Sequence, residues 1–115
     1  MKQDLELPKH RATKLCCGAS GPRLGSSETA GLAKKFKAVA DPTRLAMLDV
    51  IAQQQERLCV CDITAQFPQN QPTISHHLKM LREAGMINTE RRGIWSYFWP
   101  TDEGRRFLEA VSHLD

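Results

Sequence analysis

No stretch of this chain approaches the ~20 consecutive apolar residues that a membrane-spanning helix needs, so no membrane partner is expected. Met1 to Lys14 is charged and carries no apolar run of the secretory-signal kind. The expected compartment is therefore cytoplasmic, where thiols stay reduced. Enzymatic signatures are missing too. There is no Ser/His/Asp order, no phosphate loop and no catalytic carboxylate pair, and Asp102-Glu103 reads as favourable charge in the first turn of a helix. The chain is not expected to be an enzyme. Cysteine is scarce, with four residues in two tight pairs. In a reducing compartment these read as a metal or redox site rather than a disulfide framework. No second pair stands at the spacing of a structural zinc finger. Charge is not extreme either: a net +3 and a pI near 8.8 permit nucleic-acid binding without demanding it.

What is present is ordinary in bulk and specific in arrangement. A chain of 115 residues with 41% hydrophobic and 25% charged residues is one globular domain. A domain this small often gains stability by dimerising. Lys79, Arg82, Arg91, Arg92, Arg105 and Arg106 all fall in its second half. Residues 1–27 show no helical or strand period. Gly18, Gly21, Pro22, Gly25, Ser26 and Ser27 make the second part of that arm a flexible tether. Residues 28–115 form the folded domain. Leu32, Phe36 and Val39 recur at helical spacing from Glu28 onward. Asp41-Pro42 breaks and restarts the helix, with Asp41 as N-cap and Pro42 at the first helical position. Leu45, Leu48 and Ile51 mark the buried face that follows.

Leu58-Cys59-Val60 reads as a short extended segment and Asp62 to Phe67 as a short helix stopped by Pro68. Asn70 caps the next helix, whose core stripe is Ile74, Leu78 and Leu81, and Gly85 is its C′ glycine. Met86–Glu90 and Ile94–Trp99 read as strands joined by a tight turn at Arg92-Gly93. Thr101 caps a last helix with Phe107, Val111 and Leu114 on one stripe. The expected fold is mostly α with a small β-hairpin wing (α+β). It is a winged helix-turn-helix, homodimeric through Leu32, Phe36, Val39, Phe107, Val111 and Leu114.

The helix from Gln71 presents Gln71, Thr73, Ser75, His76, Lys79 and Arg82 opposite its core stripe. Such groups near a helix N-terminus suit the major groove of double-stranded DNA. Arg91 and Arg92 at the hairpin would reach the flanking minor groove or backbone. His76 and His77 point about 100° apart on a helix and cannot share one ion. One is a DNA or surface contact and the other a partly buried packing residue.

Cys59 and Cys61 can converge on one ion if Cys59 is extended and Cys61 begins a helix, whose dipole would favour the Cys61 thiolate. Two sulfurs make a weak site, and Cys16 and Cys17 are the supplement. The about 11 residues between Cys17 and Glu28 span up to ~35 Å, enough to reach Cys59 and Cys61 in the same subunit or a partner. A redox pairing between the two clusters is the rival reading. An all-sulfur site selects soft ions, namely As(III), Sb(III), Cd(II) or Pb(II).

Cys59-Val60-Cys61-Asp62, Gln71-Pro72-Thr73-Ile74-Ser75-His76-His77-Leu78-Lys79, Arg91-Arg92-Gly93 and Phe36-Lys37-Ala38-Val39-Ala40-Asp41-Pro42-Thr43-Arg44-Leu45 together resemble the ArsR/SmtB metalloregulatory repressors. The likeness runs roughly from Glu28 to Val111. It implies a homodimer that occupies operator DNA without any cofactor and leaves when it binds metal. In the arsenic branch a third cysteine often follows in the metal box, where this chain has Thr64. Cys16-Cys17 would then supply the missing thiolate. Their adjacency favours As(III)/Sb(III) as inducer over Cd(II)/Pb(II). The family's other common site needs Asp-x-His at the start of the last helix, and Gly104 stands where that His would be. A thiol metal buffer or chaperone without DNA binding is the alternative from another class, and it has no use for the basic wing.

Overall fold

The computed structural model describes residues 18–114, so Cys16 and Cys17 lie outside the described residues. The elements run α1 (Ser26–Val39), α2 (Pro42–Gln53), β1 (Leu58–Cys59), α3 (Val60–Thr64), α4 (Gln71–Glu83), β2 (Ile87–Arg92), β3 (Trp95–Pro100) and α5 (Asp102–Val111). This is a winged helix-turn-helix: α3, a turn and α4, followed by the β2–β3 hairpin. Among the described residues no helix is long and apolar enough to cross a membrane.

The helix starts follow their capping chemistry. Asp41 accepts from Arg44 N at 3.0 Å, Asn70 from Thr73 N at 3.0 Å and Thr101 from Gly104 N at 2.9 Å. At α1, Glu28 accepts from Gly25 N at 2.8 Å, which starts the helix at Ser26, ahead of where its apolar period begins. The short helix is displaced from the expected Asp62 to Phe67. It begins at Val60 because Cys59 N donates to Asp62 Oδ2 at 3.2 Å, and it has ended by Thr64, well before Pro68. Gly85 takes φ 80° just after α4, as its C′ position requires.

The sheet has three strands in the order β1-β3-β2, all antiparallel. The hairpin register ends at Arg92↔Trp95, so the turn is Gly93-Ile94 rather than Arg92-Gly93. Gly93, at φ 63°, supplies the positive φ that a two-residue hairpin loop demands. β1 adds Leu58↔Phe98 and Cys59↔Tyr97 to the same ladder. Alternation along β3 sends Phe98 and Pro100 into the core and Trp95, Tyr97 and Trp99 to the outer face, where the Arg57 guanidinium lies 3.7 Å from the Trp99 ring centroid.

Met47, Leu48, Ile51, Ile63, Ile74, Leu78, Leu81 and Ile87 are the large, fully buried side chains of the core. Two expected faces change. Leu45 is 36% exposed, and Met47 takes the core position instead. α2 is wrapped by α1, α4, β3 and α5, so its buried surface is broader than a single stripe. Val39, expected at the dimer interface, is 4% exposed and belongs to the protomer's own core. It sits at the C-terminal end of α1, where the chain folds back into α2.

Candidate functional site

The α4 helix buries Ile74, Leu78 and Leu81 and leaves Gln71, Thr73, Ser75, His76, Lys79 and Arg82 exposed. Its polar face and the wing enclose an open groove of about 390 Å³. Gln71, Ser75, Lys79 and Arg82 line it from the helix, and Arg91 and Ile94 from the wing. Three cations on two walls of one groove make a surface for a polyanion. Arg91 and Arg92 are not equivalent within it. Arg91 lines the groove, whereas Arg92 faces the outer side with Tyr97, its Nε 3.5 Å from Glu90 Oε2.

The two histidines divide as expected: His76 is exposed and His77 half-buried. His77 Nδ1 lies 3.1 Å from an Arg44 guanidinium nitrogen. A guanidinium only donates, so Nδ1 is the acceptor in this contact. Arg44 also donates from Nε to Ala38 O. One side chain thus ties the end of α1 and the start of α2 to the middle of α4. The Arg44 backbone N–H, assisted by the guanidinium charge, holds the Asp41 carboxyl below its ordinary value. Sequence reading missed this role of Arg44. The Asp41 cap placed it at a helix start, but only packing sets it against His77.

Cys59 and Cys61 are both free thiols, one buried and one exposed, with their sulfurs 2.9 Å apart. Cys59 ends β1 and caps α3, and its Sγ accepts from Cys61 N at 3.4 Å. The expectation of an acidified Cys61 is reversed. The S–H hydrogen bond to Cys59 raises the Cys61 pKa most, with desolvation and the neighbouring charges of Cys59 and Asp62 acting the same way. A helix of five residues has too few aligned peptide dipoles to compensate. Among the described residues no three His, Cys, Asp or Glu side chains group to hold a metal ion.

The Asp-x-His position of the C-terminal site is closed for a physical reason. A Cβ at Gly104 would overlap the Met86 carbonyl oxygen, so no side chain fits there with α5 in its present place. Elsewhere Leu32 and Phe36 on α1 are exposed and Phe107 and Val111 on α5 half-buried; Leu114, expected on the same helical stripe, lies beyond the end of α5 at Val111 and is exposed. The Phe36 and Phe107 rings meet edge to face at 6.1 Å between centroids. A shallow apolar groove of about 700 Å³ between α2 and α5 takes in Leu45, Leu108 and Val111.

Residues 41–89, which span the start of α2 to β2, match the model of the bacterial regulatory protein family arsR. The chain is 41% identical over 83 residues to an uncharacterised HTH-type transcriptional regulator of Methanocaldococcus jannaschii, covering 72% of this chain and 90% of that protein. It is 43% identical over 70 residues to the arsenical resistance operon repressor of Bacillus subtilis, covering 61% of this chain and 66% of that one. In structure it is similar to the homodimeric winged helix-turn-helix DNA-binding domain Mb0332 of Mycobacterium bovis, with a TM-score of 0.70 at 25% identity over 85% of this chain and 88% of that one. With α4 and the Cys59/Cys61 pair inside the matched residues 41–89 and the wing following in the same winged-helix fold, the chain belongs to the ArsR family of transcriptional regulators.

Proposed function

We propose that the chain is a repressor that holds operator DNA as an apo homodimer and releases it when As(III) or Sb(III) is captured by cysteine thiolates. The observation that carries this reading is the pair of free sulfurs 2.9 Å apart at the junction of β1 and α3. Cys61 is open to solvent, so an ion can reach the pair. Soft donors of this kind fit a thiophilic ion, which would bring strong bonds to sulfur when captured. Two sulfurs fall short of the three that As(III) takes. Cys16 and Cys17, N-terminal to α1, would complete the set from the same or the partner subunit. The Bacillus subtilis relative's name, arsenical resistance operon repressor, supports the choice of metalloid.

DNA would be read by Gln71, Thr73, Ser75 and His76, with Lys79, Arg82 and Arg91 on phosphates and Arg92 at the hairpin's outer side. The dimer would close through Leu32, Phe36, Phe107, Val111 and Leu114. Phe36 is 58% and Leu114 80% exposed, which is large apolar surface for a lone protomer to leave in water.

The thiol pair is well placed to act on both DNA-contacting elements. Cys59 is paired in the sheet with Tyr97 of the wing strand, and α3 packs against α4. An ion releases DNA only if it binds the DNA-free arrangement more tightly. Drawing an arm onto Cys59 and Cys61 would load the β1–β3 ladder and the α3–α4 packing together. Fixing the residues N-terminal to α1 in one arrangement would cost conformational entropy, which sulfur bonding would have to exceed.

The test is operator binding titrated with As(III), Sb(III), Cd(II), Pb(II) and Zn(II) under reducing conditions. As(III) and Sb(III) are expected to release the wild type. The Cys16→Ser/Cys17→Ser and Cys59→Ser/Cys61→Ser variants are expected to stay bound. Release by Cd(II) or Pb(II) alone would replace the metalloid assignment. Release of the arm variant at the wild-type As(III) concentration would remove Cys16 and Cys17 from the sensor.

A further inference from the structure

The apex of the wing carries a side chain that neither the fold nor the charge pattern explains. The Gly93-Ile94 turn needs only the glycine, which supplies φ 63°. The second turn position is ordinarily polar, yet it holds a β-branched apolar residue that is 77% exposed. Ile94 makes no part of the hydrophobic core. Nor does it join the outer aromatic face of Trp95, Tyr97 and Trp99. It lines the groove that faces α4, on the same wall as Arg91 and opposite Lys79 and Arg82. Because Gly93 has no side chain, Ile94 stands alone at the tip.

We propose that Ile94 is an apolar wedge that enters the minor groove beside each half-site and partly unstacks a base step there. This rests on the DNA-reading assignment above and adds a specificity determinant to it. The charge of the groove it lines commits the site to DNA: an isoleucine that shares one groove with Arg91, Lys79 and Arg82 faces a surface that repels other basic surfaces and suits a polyanion. The size fits as well. A two-stranded ribbon is too broad for a minor groove about 6 Å wide, but a two-residue apex with one side chain is not. Apolar side chains inserted between base pairs kink the duplex, and the step that unstacks most easily is favoured. The wing then reads deformability at a position where no hydrogen bond is made, with a preference for pyrimidine–purine steps such as TA or CA.

The experiment uses the full chain and a duplex selected from a random-sequence pool by the wild-type protein. 2-Aminopurine is placed in turn at each step flanking the half-sites. Wild type is expected to raise its fluorescence at one flanking step. Ile94→Ser is expected to abolish that rise, to bind the selected duplex about tenfold more weakly and to lose the flank preference. The slope of log affinity against log salt stays unchanged, because no charge is removed. Ile94→Leu is expected to restore affinity and fluorescence. Wild-type binding and fluorescence by Ile94→Ser overturn this proposal and leave the DNA-reading assignment standing. Failure of the wild type to enrich any sequence overturns both. A change of oligomeric state in Ile94→Ser with unaltered DNA binding assigns the apex to a protein contact and also overturns the wedge.

Discussion

At Gly104 a single methyl group would decide where the last helix sits. The position lies in the first turn of α5, and a Cβ there would overlap the Met86 carbonyl oxygen. Neither side yields easily, because that oxygen belongs to the backbone and already accepts from Thr101 N at 3.1 Å. Thr101 Oγ1 pins the same corner to Gly85 O at 2.6 Å. Gly104→Ala gains helix propensity of about 1 kcal/mol. Against it stand overpacking of roughly 1–3 kcal/mol and strain on the Thr101–Met86 hydrogen bond, worth about 1 kcal/mol. The net expectation is a destabilisation of about 1–3 kcal/mol, or a fall in Tm of roughly 5–20 °C for a domain of this size. Gly31 in α1 is the control, since nothing lies within 4 Å of its missing Cβ. Gly31→Ala is expected to raise stability by about 0.5–1 kcal/mol. Thermal unfolding followed by circular dichroism, at one fixed protein concentration to hold any dimerisation constant, measures both. A Gly104→Ala protein as stable as wild type would refute the packing argument. The argument also extends to metal: Gly104→His is expected to lose stability without gaining zinc affinity, which equilibrium dialysis would check.

Leu32→Glu/Phe36→Glu places charge on the exposed α1 stripe and is expected to yield monomers in sedimentation at micromolar concentration while the far-ultraviolet spectrum persists; an unchanged sedimentation coefficient would move the interface elsewhere. Gln71→Ala or Ser75→Ala is expected to cost ~1–3 kcal/mol of discrimination at particular base pairs, whereas Arg91→Ala weakens all sequences and flattens the salt dependence. Equal losses on selected and random duplexes from the helix variants would contradict the reading role of α4. Because its neighbours raise the Cys61 pKa, less thiolate is present at a given pH. Alkylation of Cys61 at pH 8, mapped by mass spectrometry, is therefore expected to be slower than that of a free cysteine in the same tube and to catch up only as pH rises further. Faster alkylation would reverse the sign.

The local grammar was legible in the sequence because each signal acts within one turn of chain. Asp41, Asn70 and Thr101 cap their helices through side-chain oxygens that reach backbone N–H groups three residues on. The stripe Ile74, Leu78 and Leu81 and the C′ glycine at Gly85 likewise follow from helical period and a required positive φ. The Cys59-x-Cys61 pair converges across a single residue, so its closeness too was readable in advance. Other features depend on surfaces that meet only in the folded chain. Val39 is buried where α1 folds back into α2, and on α2 Met47 rather than Leu45 takes the core position, placements that no one-helix pattern encodes. Arg44 meets His77 and β1 joins the wing strand at Tyr97 through contacts between distant segments. Which of Arg91 and Arg92 faces the groove was decided by the strand register, and that register was set by a turn one residue later than composition indicated. Thiol acidity took both: the sequence put Cys59 two residues from Cys61, and the fold turned the Cys61 S–H onto the Cys59 sulfur, which raises the Cys61 pKa.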